Sequence, residues 1–320
     1  MSAFFLAFLL LALVLGGIIP MAMRDSILPQ PLASEHGKYI DDQIRLTFWI
    51  VGIIFSLAQL ALAYLVIKYR SRGQKATYVE GHTKFEVSMA ALAGILFVSL
   101  NLMGQHIWAG YHLKKPDENT IKIECTGMQF EWHFRYPGKD GVFGNLDNRL
   151  IGVESGDLAK ALEKEEKDKA AGKLYKTDRA KNLVGVEWKS GTPGADDIHT
   201  SDLIIPVDRE IELQVRGQDV IHSVFVRELR VKQDAVPGLR VNVHFKAINV
   251  PQKLPEKLSP PQHIDAQDVV NYFELACAEL CGSNHYAMKS HVWVLKQDAY
   301  DRWLKAMNDD VVKAAEDRDK

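Results

Sequence analysis

Four side chains able to hold a soft metal ion stand within twelve residues, in Cys277-Ala-Glu279-Leu-Cys281-Gly-Ser-Asn-His285-Tyr-Ala-Met288. Thiolate and thioether ligands together select copper. The spacing would also lay these side chains along one stripe of a helix. Gly282-Ser283-Asn284 favours a turn instead, and the flanking segments 271–276 and 291–295 read as strands, so the expectation is a loop between two strands. A disulfide between Cys277 and Cys281 would leave His285 and Met288 without a purpose, and structural zinc has no use for Met288. His222, in Gly217-Gln-Asp219-Val-Ile-His222-Ser223 at a strand end, is the distant ligand. A mononuclear blue-copper site takes two histidines, one cysteine and a weak methionine, and here there is a second cysteine. Two thiolates can bridge two copper ions, with one histidine on each and with Met288 and the carbonyl of Glu279 as weak partners. Sharing one electron over two bridged ions spreads the geometric change on reduction, which suits electron transfer rather than bond-making.

The elements that carry this loop follow from the pattern of the rest of the chain. Its 320 residues have a strongly apolar first third and an ordinary charged remainder. The net charge of -2, from 39 basic and 41 acidic residues, excludes the basic excess of a nucleic-acid binder. Three cysteines are too few for a disulfide scaffold, and Cys125, in an alternating run, is expected simply to be buried. Segments 48–67 and 87–113 are uncharged and long enough to cross a bilayer core of about 20 helical residues. The basic link Lys68-Tyr-Arg70-Ser-Arg72-Gly-Gln-Lys75 between them belongs on the cytoplasmic side, so everything after about Lys114 emerges opposite. A third apolar run, 4–23, reads as a retained helix in preference to a cleaved signal peptide, because no basic residue precedes it.

From Thr120 short alternating runs predominate, among them 121–125, 211–215 and 241–245, separated by Gly and Pro; they predict an antiparallel sandwich. The charged stretch 159–181 and the proline-rich stretch 250–261 read as insertions, and the spacing of Trp303, Met307 and Val311 predicts a terminal helix. The expected organisation is a membrane-anchored all-β protein: an apolar helix or signal peptide over 1–24, a transmembrane hairpin over 46–113, a copper domain over 118–298 and a helix over 299–320.

These motifs together resemble subunit II of haem–copper cytochrome c oxidases. The resemblance rests on Cys277-x-Glu279-x-Cys281-Gly-x-x-His285-x-x-Met288, Asp219-Val-Ile-His222-Ser223 and Lys232-Gln-Asp234-Ala-Val-Pro237-Gly238, in that family's order. Pro137-Gly-Lys-Asp140-Gly-Val-Phe143-Gly144 is similar to the bacterial branch that often carries a fused cytochrome c; without a Cys-x-x-Cys-His motif no covalent haem is expected here. The resemblance implies a cupredoxin-like Greek-key sandwich and a dinuclear copper centre held by His222, Cys277, Glu279 through its carbonyl, Cys281, His285 and Met288. It further implies a magnesium ion shared with the catalytic subunit through Glu279, and a proton-path role for Glu86 at the start of the second hairpin helix. Where the family commonly has Gln-Trp-Tyr-Trp this chain has Gln129-Phe130-Glu131-Trp132, so Phe130 and Trp132 are the candidates for receiving electrons. The implied partners are a haem–copper catalytic subunit, cytochrome c or a similar donor, and the lipid bilayer of a bacterial plasma membrane, with the copper domain on the periplasmic side.

Overall fold

A computed structural model of the chain describes residues 31–71, 80–151, 182–187, 192–255 and 259–318, with isolated residues between 6 and 12, 73 and 78, and 163 and 167. The apolar run 4–23 and the charged insertion 159–181 lie largely outside the described residues. The chain divides into two compact units: Met1–Gln30 with His36–Leu113, and Pro31–Glu35 with Lys114–Lys320.

The first unit holds two long helices, α1 (Glu35–Lys68) and α2 (Thr83–His112). Both have the length and apolar composition of membrane spans. They run antiparallel: His36 stacks on Tyr111 with ring centroids 4.8 Å apart, and Gln43 Nε2 donates to the Leu100 carbonyl at 3.3 Å. Gly104 makes room for that amide, since a Cβ there would lie 2.8 Å from Gln43 Nε2. α1 starts well before its apolar run, because Glu35, Lys38, Asp41, Asp42 and Arg45 are compatible with helix and need not be buried in lipid. At about 1.5 Å per residue each helix exceeds a bilayer core of about 30 Å. Large apolar side chains such as Ile53, Phe97 and Leu102 face outward along both helices, an arrangement that suits lipid and not water.

The second unit is built from ten strands: β1 (Ile121–Met128), β2 (Glu131–Tyr136), β3 (Ile198–Thr200), β4 (Leu203–Pro206), β5 (Glu210–Gly217), β6 (His222–Val226), β7 (Val231–Ala235), β8 (Val241–Lys246), β9 (Val269–Cys277) and β10 (Lys289–Leu295). Among the described residues they form two five-stranded sheets, ordered β3-β2-β1-β5-β8 and β4-β10-β9-β6-β7. The expectation of a purely antiparallel sandwich needs correction. β1 pairs with β5 in parallel, and so does β10 with β4. Period-two alternation reports which face of a strand is buried, not the direction of its neighbour. The core between the sheets is apolar, with Ile123, Cys125, Leu213, Val215, Val224, Leu275 and Val294 fully buried. A terminal helix, α3 (Gln297–Arg318), closes one end, where Trp303 meets Tyr136 edge-on at 5.2 Å and Tyr300 at 5.5 Å.

Candidate metal centre

Two strands and one loop assemble the centre. β9 ends at Cys277 and β10 begins at Lys289, so 278–288 form the connecting loop, as the turn residues predict. The Cys277 amide donates to the Met288 carbonyl at 3.1 Å and closes the loop at its neck. Inside, His285–Ala287 form a single 3-10 turn whose first bond runs from the His285 amide to the Gly282 carbonyl. Gly282 adopts φ +138°, which L side chains rarely take, and a Cβ there would meet the Phe130 ring at 3.0 Å and Gln129 Nε2 at 2.9 Å. Gln129 Nε2 donates to the Cys281 carbonyl at 2.6 Å, fixing the loop from the β1–β2 turn. β6 lies antiparallel to β9, with Val224 opposite Cys277, which sets His222 beside the loop; the Ala278 amide donates to the Ser223 carbonyl at 2.9 Å.

The result brings all six expected ligand groups together. The two sulfur atoms are 3.9 Å apart and both cysteines are free thiols. Cys277 Sγ lies 4.0 Å from His222 Nδ1 and 3.2 Å from the Glu279 carbonyl oxygen. Cys281 Sγ lies 3.6 Å from His285 Nδ1 and 3.7 Å from Met288 Sδ. Donors on one tetrahedral ion, with bonds of about 2.0–2.3 Å, sit about 3.3–3.8 Å apart. The sulfur–sulfur, sulfur–imidazole and sulfur–thioether separations are close to such edges, so the His, Cys, Cys and Met set fits a copper ion by both spacing and softness. His222 and Met288 are fully buried, both cysteines are nearly so, and His285 is partly exposed. Burial first, and then the neighbouring Cys277, push the Cys281 thiol up to about 11. A bound cation offsets both effects by stabilising the thiolate.

Around this set stand groups the motif alone does not reveal. Asp219 Oδ1 accepts from His222 Nε2 at 2.9 Å, leaving Nδ1 facing the sulfur of Cys277. Its carboxylate also accepts the Gln129 amide at 2.8 Å and the Val220 amide at 2.7 Å. Burial works to raise the Asp219 pKa, but the bonds from His222, Gln129 and Val220 together hold it below the ordinary carboxylate value. A signal for it existed in the sequence, namely an acid three residues before a strand-end histidine. Gly127 gave no such signal: it is needed because a Cβ there would lie 2.9 Å from the Trp132 ring and 3.1 Å from His222. Trp132 is buried and meets His222 edge-on at 6.0 Å, whereas Phe130 is partly exposed beside Gly282. The Glu279 side chain is exposed. Glu86 lies on the helical unit, in the first turn of α2. Cys125 is buried in the core, where burial pushes its thiol far up, in keeping with an inert packing role.

Residues 195–294 match the family described as cytochrome c oxidase subunit II, periplasmic domain. The chain is 29% identical to the alternative cytochrome c oxidase subunit 2 of Bradyrhizobium diazoefficiens, over 86% of this chain and 82% of that one. It is 25% identical to cytochrome c oxidase subunit 2 of Cereibacter sphaeroides, over 86% and 78%. Among solved structures, the periplasmic domain of subunit II of cytochrome oxidase from Bradyrhizobium japonicum is similar at 22% identity, with a TM-score of 0.34, over 61% of this chain and 98% of that one.

Proposed function

We propose that the chain is a cytochrome c oxidase subunit II, the family that residues 195–294 match and whose members it resembles over most of its length, and that it holds a dinuclear copper centre as the electron-transfer subunit of a terminal respiratory oxidase. It takes electrons from cytochrome c or a similar donor and delivers them to haem in the catalytic subunit, where dioxygen is reduced to water. The observation that carries this reading is the repetition of donors about the sulfur pair. Each sulfur has its own imidazole Nδ1 within 4.0 Å and its own weak neutral donor, the Glu279 carbonyl on one side and Met288 Sδ on the other. One ion cannot use that many ligands in a four-coordinate site, and two can if the thiolates bridge.

When bound, copper supplies one-electron acceptance and release. The chain's own residues do the rest. Cys277 and Cys281 would hold the copper through their thiolates, and His222 and His285 through the Nδ1 atoms that face those sulfurs. Asp219 fixes the His222 tautomer, and the buried Met288 and Trp132 exclude water from the inner side. Phe130, partly exposed beside Gly282, stands in sequence where the family commonly has its first tryptophan, and it and the buried Trp132 are the candidates for receiving electrons. The exposed carboxylate of Glu279 is available to a magnesium ion shared with the catalytic subunit, a hard cation that needs oxygen ligands. Glu86 stands at the start of α2 for a proton path. The basic link after α1 supports a copper domain on the periplasmic side of a bacterial plasma membrane.

Electron paramagnetic resonance of the purified full chain, loaded with copper in detergent, tests the reading. One electron shared over two equivalent copper nuclei gives a seven-line hyperfine pattern. A four-line pattern, the mark of a single ion, would instead favour a copper-binding protein without this electron-transfer role. Cys281→Ser should abolish the shared pattern, and Met288→Leu should retain it with a shifted redox potential.

A further inference from the structure

The family reading leaves the Phe143-Gly144 motif without a role, and this motif lines a cavity of about 590 Å³ at the end of the first sheet. The wall includes Glu124 on β1, Arg135 on β2, Arg216 on β5, Gln218 just after that strand, and Arg240 ahead of β8. Arg135 is fully committed. Its guanidinium donates to Glu124, to Asp197 and, at 2.8 Å, to the Gly144 carbonyl, and the Phe143 ring covers it at 4.9 Å. Gly144 has no space for a side chain, since a Cβ would meet Gly194 Cα at 2.2 Å; its amide donates to Asp197 at 3.0 Å, which keeps this wall rigid. Arg240 reaches the second oxygen of Glu124 and Gln214 Oε1, each at 3.3 Å.

That leaves Arg216. It feels Glu124 on one side and the positive charges of Arg135 and Arg240 on the other, and among the described residues its guanidinium donates no hydrogen bond. Beside it, the buried Oε1 of Gln218 has no hydrogen-bond donor among the described residues. Three guanidinium groups (135, 216, 240) face two carboxylates (124, 197), so the wall carries one positive charge in excess. Arg216 is only half-buried, so it presents an uncommitted donor to whatever enters the cavity.

We propose that this cavity binds a small anion bearing carboxylate or phosphate groups, with Arg216 as its principal donor and Arg240 as its second. The planar fork of arginine matches both oxyanions bidentately. Gln218 Oε1 selects for a ligand that also carries a hydroxyl or a protonated oxygen. Phe143, Leu146 and Leu239 offer apolar contact to a carbon skeleton at the mouth. None of the copper ligands lines the cavity, so the site stands or falls independently of the metal.

Isothermal titration of the purified full chain in detergent at low salt, with citrate and pyrophosphate as separate probes, decides the matter. One probe or both should bind with one-to-one stoichiometry; citrate alone assigns a carboxylate ligand and pyrophosphate alone a phosphate ligand. Arg216→Gln should weaken binding about tenfold or more while copper uptake is retained, and Arg216→Lys should fall between because it keeps the charge without the fork. Lys289→Gln, at an exposed pair with Glu274, should bind as the unaltered chain does. If Arg216→Gln does not fold, Arg216→Lys and Gln218→Leu carry the same comparison. Absence of one-to-one binding by either probe at millimolar concentration, or equal weakening by Arg216→Gln and Lys289→Gln, would overturn the proposal.

Discussion

Asp219 shows how much of the centre is decided one bond away from the donor atoms. An imidazole has two nitrogens, and the one it offers is set by what holds the other. Here a carboxylate 2.9 Å from Nε2 leaves Nδ1 for the metal side. Such outer partners typically contribute 10- to 100-fold in metal affinity. Asp219→Ala should therefore lower copper affinity by about tenfold or more, while Asp219→Asn, which keeps an acceptor and loses the charge, should lose less; competition with a copper chelator measures both. Equal affinity in all three proteins would show that the bond has no part in metal binding. The donor groups themselves were legible in the sequence, because thiolate, imidazole and thioether at turn spacing have few other uses. Gly127 was not, because the demand for a missing side chain exists only once β1, β2 and β6 are packed together. Gly127→Ala should push Trp132 and His222 apart, costing about 1–3 kcal/mol of stability and releasing copper more readily, as thermal denaturation and metal retention would record.

The strands were legible wherever one face alternates, as in β9, whose burial follows a period of two as far as the cysteine. β1 and β5 are instead buried on nearly every residue, and their parallel pairing could not be read from a pattern that the two faces share. Part of the reason is polar burial: Glu124, Arg135 and Glu212 lie inside yet read as solvent-facing residues in the sequence. His133 on β2 belongs to this group. Burial, and after it the charge of Arg135, lower its pKa from 6.5 to about 4, and His199 on β3 lies 2.8 Å from its Nε2. Between these two values the unfolded chain binds more protons than the folded one. Stability is therefore fully present above the unfolded value and falls as pH drops towards 4, by about 3 kcal/mol at most. Asp197 has the opposite sign. Burial raises it from 3.8 to about 6, so protonation there favours the folded state as pH falls through the same window. The two slopes are separated by difference: His133→Gln should be markedly less acid-sensitive than the unaltered chain in urea denaturation series run from neutral pH to about pH 4. An unchanged pH slope would mean that His133 does not titrate in this window.

At the scale of the whole molecule, two runs of about 20 apolar residues announce the membrane helices, but they do not show that the segment just ahead of α1 is part of the β unit. Pro31–Glu35 groups with Lys114–Lys320. The Ala33 amide donates to the Glu228 carbonyl at 2.8 Å, the Ile248 amide to the Ala33 carbonyl at 2.9 Å, and Ser34 Oγ to the Leu229 carbonyl at 2.6 Å. Ala33 and Ser34 are fully buried, and Glu35 pairs with Lys246 at 2.5 Å. Nothing in five short residues signals this; the docking depends on backbone groups that any sequence would offer, and on small side chains that fit. A soluble fragment cut at Lys114 therefore lacks part of its own fold. The Glu228 and Leu229 carbonyls and the Ile248 amide lose their partners, at about 1 kcal/mol or more each. A second fragment, in which a Gly/Ser linker replaces 36–113 and keeps Pro31–Glu35, should be more stable by about 2–4 kcal/mol in urea denaturation. If both fragments unfold at the same urea concentration, the segment contributes nothing, and the β unit is complete from Lys114 onward.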